Sequence, residues 1–293
     1  MRNKFVSLKV LALLVIFCLT GSLTRAAVNP KPFVVPELKQ WTGKDGNFTP
    51  GKDARIVCTS QNPELLRIAR MFADDYQQMF GQTLSVAQGK ATPGDFVLSL
   101  SADKKLGEEG YAIKITDRVA ISAPTPTGLY WSTRTLLQLA EQNQERSLPQ
   151  GTIRDYPDYP LRGFMIDCGR KFIPMAYLQD LVKIMAYYKM NTLQVHLNDN
   201  GFKQYFEHNW DKTYAAFRLE SETYPGLTAR DGSYSKKEFI DFRNRRYPTS
   251  WKSFRKLTFP PTHWLSPITN RKSEARSTAW ITSTYSSRKL TNS

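Results

Sequence analysis

The chain has 293 residues and a formal net charge of +15, from 41 Lys and Arg against 26 Asp and Glu. A hydrophobic fraction of 41% with 23% charged residues excludes a disordered chain and provides the apolar mass for about two domains. The charge is concentrated at the two ends, because residues 243–293 contain 11 basic residues and one acid and residues 1–26 contain only basic charges. The body between them has a balance of +1, which argues against a basic nucleic-acid-binding domain.

Residues 1–26 have the three-part pattern of a secretory signal peptide. A basic start, Met1–Lys9, precedes the apolar run Val10–Leu19, and Thr24 and Ala26 stand at positions −3 and −1 of a cleavage point. The alternative is a membrane anchor, but the run is far shorter than the ~20 residues that span a bilayer. We therefore expect export to the periplasm or the medium, with no stable membrane insertion after cleavage.

The cysteines indicate neither a disulfide framework nor a metal site. Cleavage removes Cys18 and leaves Cys58 and Cys168, which are too few for either. Cys168 lies in an apolar stretch, which favours a small core residue over a nucleophile. We expect no metal and no organic cofactor.

Residues 33–150 are predicted to form a compact α+β module. Hydrophobic alternation and helical spacing predict these strands and helices: strands Ala54–Cys58, Phe96–Leu100, Tyr111–Ile115 and Val119–Ser122, and helices Pro63–Phe80 and Leu129–Gln142. Gly151 and the proline-punctuated residues 155–160 are predicted to form a hinge.

After the hinge, residues 155–242 are predicted to begin an α/β barrel. A strand at Gly163–Cys168, a helix opened by Pro174 and a strand at Thr192–Leu197 form a β-α-β unit, and Ser235–Phe242 begins the next helix. Polar residues follow both strands, as at the carboxyl-end face of such barrels, where active sites lie.

Three segments, in the right order, resemble glycoside hydrolase family 20, the β-N-acetylhexosaminidases. Arg162–Phe172 (RGFMIDCGRKF) is similar to the family's R-G-x-x-x-D-x-x-R-x-F strand, Asn191–Asn200 (NTLQVHLNDN) to its second barrel strand, and Glu109–Ala140 to the last hairpin and helix of its small domain. The resemblance covers residues 33 to about 242. It implies a (β/α)8 barrel behind an α+β domain, of which this chain holds the first two βα units.

The resemblance also implies a reaction. Family members remove terminal β-linked N-acetylglucosamine or N-acetylgalactosamine from glycans by substrate-assisted, retaining catalysis, in which the sugar's acetamido group attacks the anomeric carbon. An Asp orients that group, and an adjacent Glu is the general acid and base. The implied partners are N-acetylhexosamine-containing glycans; the sequence does not indicate an oligomeric state.

Two residues match substrate-binding positions of the family. Arg162 matches an arginine that binds sugar hydroxyls, since a guanidinium donates to two vicinal oxygens, and its alternative role is a salt bridge at the barrel floor. Asp199 matches a carboxylate that accepts from sugar hydroxyls, and its alternative role is a cap of the turn after the strand.

Other residues near these motifs have structural explanations. His196 is predicted to be a satisfied core histidine, and Asp167 and Arg170 a structural pair that holds the first loop. Three aromatic residues can stack on a sugar or pack within their loop: Trp210, Tyr214 and Phe217.

The chain departs from the family after Phe242. It contains no H-x-G-G-D-E segment, so no catalytic Asp-Glu pair is assigned and the chain as written is expected to be inactive. Residues 243–293 are rich in Ser and Thr and have no sustained helical or strand period, which is typical of a disordered basic tail. Codons read one base earlier over this region can encode a peptide with EIDFPAH, similar to the family's E-I-D-x-P-x-H motif. We hypothesise that the tail is out of frame and the barrel truncated.

Two other functions are compatible with parts of the sequence. The α+β module alone could be a non-catalytic carbohydrate-binding or docking module. The basic tail could bind nucleic acid or a membrane surface, but it has neither an amphipathic stripe nor interleaved aromatic residues.

Overall fold

The computed structural model describes residues 28–200, 204, 207–208, 215–224 and 226–244. The predicted signal peptide, the tail from residue 245, Trp210 and Tyr214 lie outside these residues. The chain divides into two compact units after Pro157. Within the described part of the chain, none of the helices combines the length and the apolar character that a membrane crossing requires.

The first unit is built on one mixed sheet of seven strands. The strands are β1 (Gln40–Phe48), β2 (Arg55–Cys58), β3 (Ser85–Gln88), β4 (Phe96–Leu100), β5 (Tyr111–Ile115), β6 (Val119–Ala123) and β7 (Leu148–Asp155). Their order is β1-β7-β5-β6-β4-β2-β3. The β3, β2, β4 and β6 side is parallel, whereas β5 pairs antiparallel with both β6 and β7.

Two α-helices and a short 3-10 helix complete this unit. The α-helices are α1 (Pro63–Phe80) and α2 (Pro126–Glu141), and Lys104–Leu106 is the 3-10 turn. In α1 the buried residues recur at helical spacing and form one face, which packs on the sheet. In α2 every residue from Thr127 to Ala140 is buried. The buried set includes polar side chains, among them Arg134 and Gln138.

The structure moves the end of this module beyond residue 150. Gly151 and Asp155, which were expected to belong to a hinge, lie in β7, which pairs with both β1 and β5. Tyr111, for example, lies opposite Asp155. The Pro and Gly in Leu148–Asp155 suggested a break, but pairing on both sides supplies the order that local propensity does not.

The second unit contains the predicted β-α-β unit. Strands β8 (Gly163–Asp167) and β9 (Thr192–His196) are parallel, with α3 (Met175–Tyr187) between them in the chain. A short antiparallel ribbon of β10 (Asn198–Asn200) and β11 (Ala215–Phe217) follows, and then α4 (Lys236–Asn244). Ser235 accepts a hydrogen bond from the Glu238 amide at 3.0 Å, which confirms the predicted helix start.

A hydrophobic core joins the elements of the second unit. Its side chains come from β9, from one face of α3 and from the inner face of α4, together with buried Cys168. The prediction that Cys168 is a small core residue is confirmed, because it is fully buried and burial raises the pKa of its thiol. The fold is α/β, with two parallel strands of the predicted barrel.

Candidate functional site

Polar side chains meet where the two parallel strands β8 and β9 end. Asp167 is the last residue of β8 and His196 the last residue of β9, and the two lie opposite each other in the register. Arg170 and Asp199 each follow three residues later. Because the strands are parallel, their carboxyl ends share one edge, so these four side chains cluster.

Arg170 is the centre of the cluster. Its Nη1 lies 2.6 Å from Asp167 Oδ2 and its Nη2 lies 2.7 Å from Asp199 Oδ2. The Arg170 amide also donates to Asp167 Oδ1 at 3.0 Å, which confirms the predicted Asp167–Arg170 pair. Burial alone would raise the pKa of Asp167, but hydrogen bonds from the amide and guanidinium of Arg170 outweigh it and lower that pKa.

Asp199 connects this pair to His196. His196 Nε2 lies 2.9 Å from Asp199 Oδ2, so the histidine is satisfied as predicted, but by the candidate sugar-binding carboxylate itself. The Arg170 side chain is 38% exposed and the Asp199 side chain 20%. A guanidinium and a carboxylate side by side and open to solvent offer donors and acceptors to one polar ligand.

Gly169 permits the close approach of the two strand ends. A Cβ at this position would lie 2.7 Å from the amide nitrogen of Asp199 and 2.8 Å from the carbonyl carbon of Asn198. The amides of Cys168 and Gly169 both donate to the His196 carbonyl at 2.9 Å. These contacts place Arg170 within reach of Asp199.

Arg218 holds the same loop from the other side. It is fully buried, and it donates from Nε to the Cys168 carbonyl at 2.6 Å and from Nη2 to the Gly169 carbonyl at 3.1 Å. Asp231 neutralises the Arg218 guanidinium in a bidentate ion pair. No local sequence pattern indicates this residue, because its partner Asp231 lies 13 residues away in a loop.

The structure does not bring Arg162 to this site. Arg162 precedes β8, whereas Asp199 follows β9, so the two lie at opposite ends of the parallel pair. Arg162 Nε donates to the Lys189 carbonyl and its Nη1 to the Tyr159 carbonyl, both at 2.8 Å. The two residues that match substrate-binding positions of the family therefore do not lie together in this structure. The matched motif holds two arginines, and the one beyond the strand, Arg170, reaches the site.

The cluster also has ligand types that suit a cation. Asp167, His196 and Asp199 offer atoms within 4.8 Å of one another. Arg170 already bridges both carboxylates, and a bound cation would have to displace its guanidinium. The geometry therefore favours recognition of a neutral polar ligand over a metal.

Comparison with known families covers both units. Residues 31–156 match the family model for glycosyl hydrolase family 20, domain 2, and residues 159–253 match the model for the catalytic domain of the same family. The chain belongs to glycoside hydrolase family 20. The catalytic-domain match runs past Phe242, where the resemblance was expected to stop, by 11 residues.

Known family 20 proteins are similar over part of their length. The chain is 33% identical to a beta-hexosaminidase of Akkermansia muciniphila over 147 residues, which are 48% of this chain and 30% of that protein. It is 32% identical to a beta-N-acetylhexosaminidase of Cellulomonas fimi over 152 residues, 50% of this chain and 30% of that protein. The chain thus spans less than a third of these relatives.

Solved family 20 structures share the fold. A Streptomyces plicatus beta-hexosaminidase mutant in complex with its product GlcNAc superposes with a TM-score of 0.63 at 23% identity, covering 78% of this chain and 45% of that one. A Bacteroides fragilis beta-N-acetylhexosaminidase gives a TM-score of 0.55 at 20% identity, covering 72% and 42%. At such identities the likeness concerns the fold alone.

Proposed function

We propose that this chain carries the sugar-binding beginning of a β-N-acetylhexosaminidase site, centred on Arg170 and Asp199. The observation that carries the proposal is their 2.7 Å ion pair at the carboxyl ends of two parallel strands. A guanidinium donates to vicinal hydroxyl oxygens and a carboxylate accepts from hydroxyl protons, which is the complementary pattern for a sugar diol. Similarity to proteins named beta-hexosaminidases supports N-acetylhexosamine as the ligand class.

The reaction of the whole enzyme would be release of terminal β-linked N-acetylhexosamine by the substrate-assisted route. Arg170 and Asp199 would hold the sugar ring, while an Asp-Glu pair would orient the acetamido group and protonate the leaving oxygen. This sequence has no adjacent Asp-Glu pair. We therefore propose that the polypeptide as written binds the sugar without cleaving it. We also propose that it is exported, on the basis of the predicted signal peptide at residues 1–26.

A hydrolysis assay tests the catalytic half of the proposal. An aryl N-acetylglucosaminide incubated with the purified chain should release no chromophore above the rate in buffer. The reason is that the chain has no adjacent Asp-Glu pair to supply the acid-base catalysis, which contributes about 10²–10⁴-fold in rate. Sustained chromophore release that copurifies with this polypeptide would refute the proposal of a binding-only chain.

A binding assay tests the recognition half. N-acetylglucosamine titrated into the chain should give saturable binding in ligand-observed NMR, and the variant Asp199→Asn should weaken it about tenfold by replacing a charged acceptor with a neutral one. Asp180→Asn, at an exposed position on α3, is the matched control and should bind as the unmodified chain does. Absence of binding in the unmodified chain would contradict the proposal.

A further inference from the structure

Arg218 touches both strand ends that carry the candidate site. Its side chain binds the Cys168 and Gly169 carbonyls just after β8, as described above. Its backbone amide donates to the Leu197 carbonyl at 2.9 Å, two residues before Asp199. One buried residue therefore spans the gap between the peptide that precedes Arg170 and the peptide that leads to Asp199.

Packing alone does not call for a charged group at this position. An ion pair taken out of water is at best weakly stabilising, and apolar residues of similar volume often do as well. Arg218 is 0% exposed as a side chain and also lies over the Phe172 ring, with Cζ 5.8 Å from the centroid. What a guanidinium adds here is a planar fork of donors that fixes the directions of two neighbouring carbonyls.

We propose that Arg218 is a positioning residue for sugar binding, acting through Arg170. By fixing the Cys168 and Gly169 peptides, it sets the backbone from which Arg170 projects, and so the distance between the Arg170 guanidinium and Asp199. Asp231 and the Gly232 carbonyl, 3.0 Å from Arg218 Nη1, in turn hold the Arg218 guanidinium in its plane. This inference rests on the proposed function, because Arg170 binds the sugar only if that proposal is correct.

The test is a double-mutant cycle in the full chain with N-acetylglucosamine as the probe. Arg218→Lys keeps the charge and loses the fork, and it should raise the dissociation constant about tenfold. In an Arg170→Ala background the same substitution should change the dissociation constant less than about twofold, because the route through Arg170 is already gone. Arg230→Lys, at an exposed arginine beside Asp231, is the matched control and should have no effect in either background.

Amide hydrogen exchange supplies a readout that does not depend on the sugar. Arg218→Lys should speed exchange at residues 168–170, whose amides bond to His196 and Asp167, while the amides of α3 keep their protection. Asp231→Asn, a milder change at a half-exposed carboxylate, should give the same local pattern to a smaller degree.

The outcomes separate the two proposals. No sugar binding by the unmodified chain contradicts the proposed function and this inference with it. Binding by the unmodified chain with an unchanged dissociation constant in Arg218→Lys contradicts this inference alone. Faster exchange throughout the second unit, with equal losses of affinity in both backgrounds, also overturns it, because Arg218 would then be only a stability residue.

Discussion

Two buried tyrosines of the first unit differ in how their hydroxyl groups are satisfied. Tyr111 donates to Asp155 Oδ2 at 2.5 Å and lies 2.6 Å from Thr135 Oγ1. The Tyr76 hydroxyl has no hydrogen-bond partner among the residues that the structure describes, and burial raises its pKa to about 12. The same chemical change at these residues therefore has different consequences.

We predict that Tyr111→Phe lowers the free energy of unfolding by about 1–3 kcal/mol, because it removes the hydroxyl that donates to Oδ2 of the buried Asp155 carboxylate. Tyr76→Phe removes a buried hydroxyl that makes no hydrogen bond to the described residues, so the free energy of unfolding should stay unchanged or rise slightly. Urea unfolding of the two variants measures the difference. A larger loss for Tyr76→Phe than for Tyr111→Phe would contradict the assignment.

Asp95 makes the stability of the first unit depend on pH. Burial alone would raise its pKa, but hydrogen bonds from Arg55 and Thr92 lower it to about 2, below the ordinary aspartate value. A carboxyl with a depressed folded-state pKa stabilises the fold above its unfolded-state pKa, and the contribution disappears as the pH falls through the folded-state value.

Asp95→Asn should therefore cost about 2 kcal/mol at pH 7, and the difference from the unmodified chain should vanish between about pH 4 and pH 2. Asp117→Asn removes an exposed partner of Arg118 and serves as the control, with an unchanged unfolding midpoint. If the loss of stability in Asp95→Asn did not change with pH, the charge of the Asp95 carboxylate would not be the source of the stabilisation.

Gly169 gives a prediction at the site itself. Gly169→Ala places a methyl group within 2.7 Å of the Asp199 amide nitrogen, so the strand ends must separate and sugar binding should fall by about tenfold or more. Gly51→Ala adds the same methyl where no atom lies within 4 Å, and it should bind normally. Normal binding by Gly169→Ala would mean that the close approach is not needed.

Helix α1 shows why strong local signals were predicted correctly. Asn62 accepts hydrogen bonds from the amides of Glu64 and Leu65 at 2.9 and 3.3 Å, and Gly81 ends the helix in the left-handed conformation. The proline at the start of the helix, the Asn62 cap and the helical spacing of the apolar residues all indicate the same helix. The predicted bounds Pro63–Phe80 therefore match the structure.

The cap is also a measurable contribution. Asn62→Ala should lower the free energy of unfolding by about 1 kcal/mol, whereas Asn62→Asp, which keeps a cap acceptor, should be nearly neutral. Thermal unfolding of both variants checks this. Equal losses would show that the side-chain oxygen does not act as the cap.

Strands β1 and β7 were missed because their order comes from pairing. β1 is an edge strand with mostly exposed residues, and β7 contains Pro149 and Gly151. Neither sequence alternates apolar and polar residues along its length, and each strand is held by its neighbours in the sheet. The site shows the same limit: the Asp167–Arg170 pair was predictable from spacing, but Arg218 and Asp231 meet only through the fold.

The second unit exposes large apolar side chains on the described parts of its surface. Phe164 and Met165 of β8 are 47% and 53% exposed, and Tyr177 and Ile184 of α3 are each 57% exposed. Among the described residues, β8 pairs only with β9. Parallel strands are normally covered on both faces, so these exposed apolar side chains favour association.

We predict that the 293-residue polypeptide self-associates at micromolar concentration. Light scattering should show a lower average mass for a Phe164→Ser, Tyr177→Ser double variant than for the unmodified chain. Phe33→Ser, at a residue of the first unit that is 74% exposed, is the control and should leave the mass unchanged. A monomeric unmodified chain would contradict the prediction.

We propose that Arg170, at the carboxyl ends of the strands, is the sugar-binding arginine of this family 20 chain, and that Arg162, at their start, is not. The most direct measurement is the affinity for N-acetylglucosamine of two matched variants, Arg170→Lys and Arg162→Lys. We expect Arg170→Lys to raise the dissociation constant about tenfold and Arg162→Lys to leave it within about twofold. Loss of affinity in Arg162→Lys with full affinity in Arg170→Lys would contradict it.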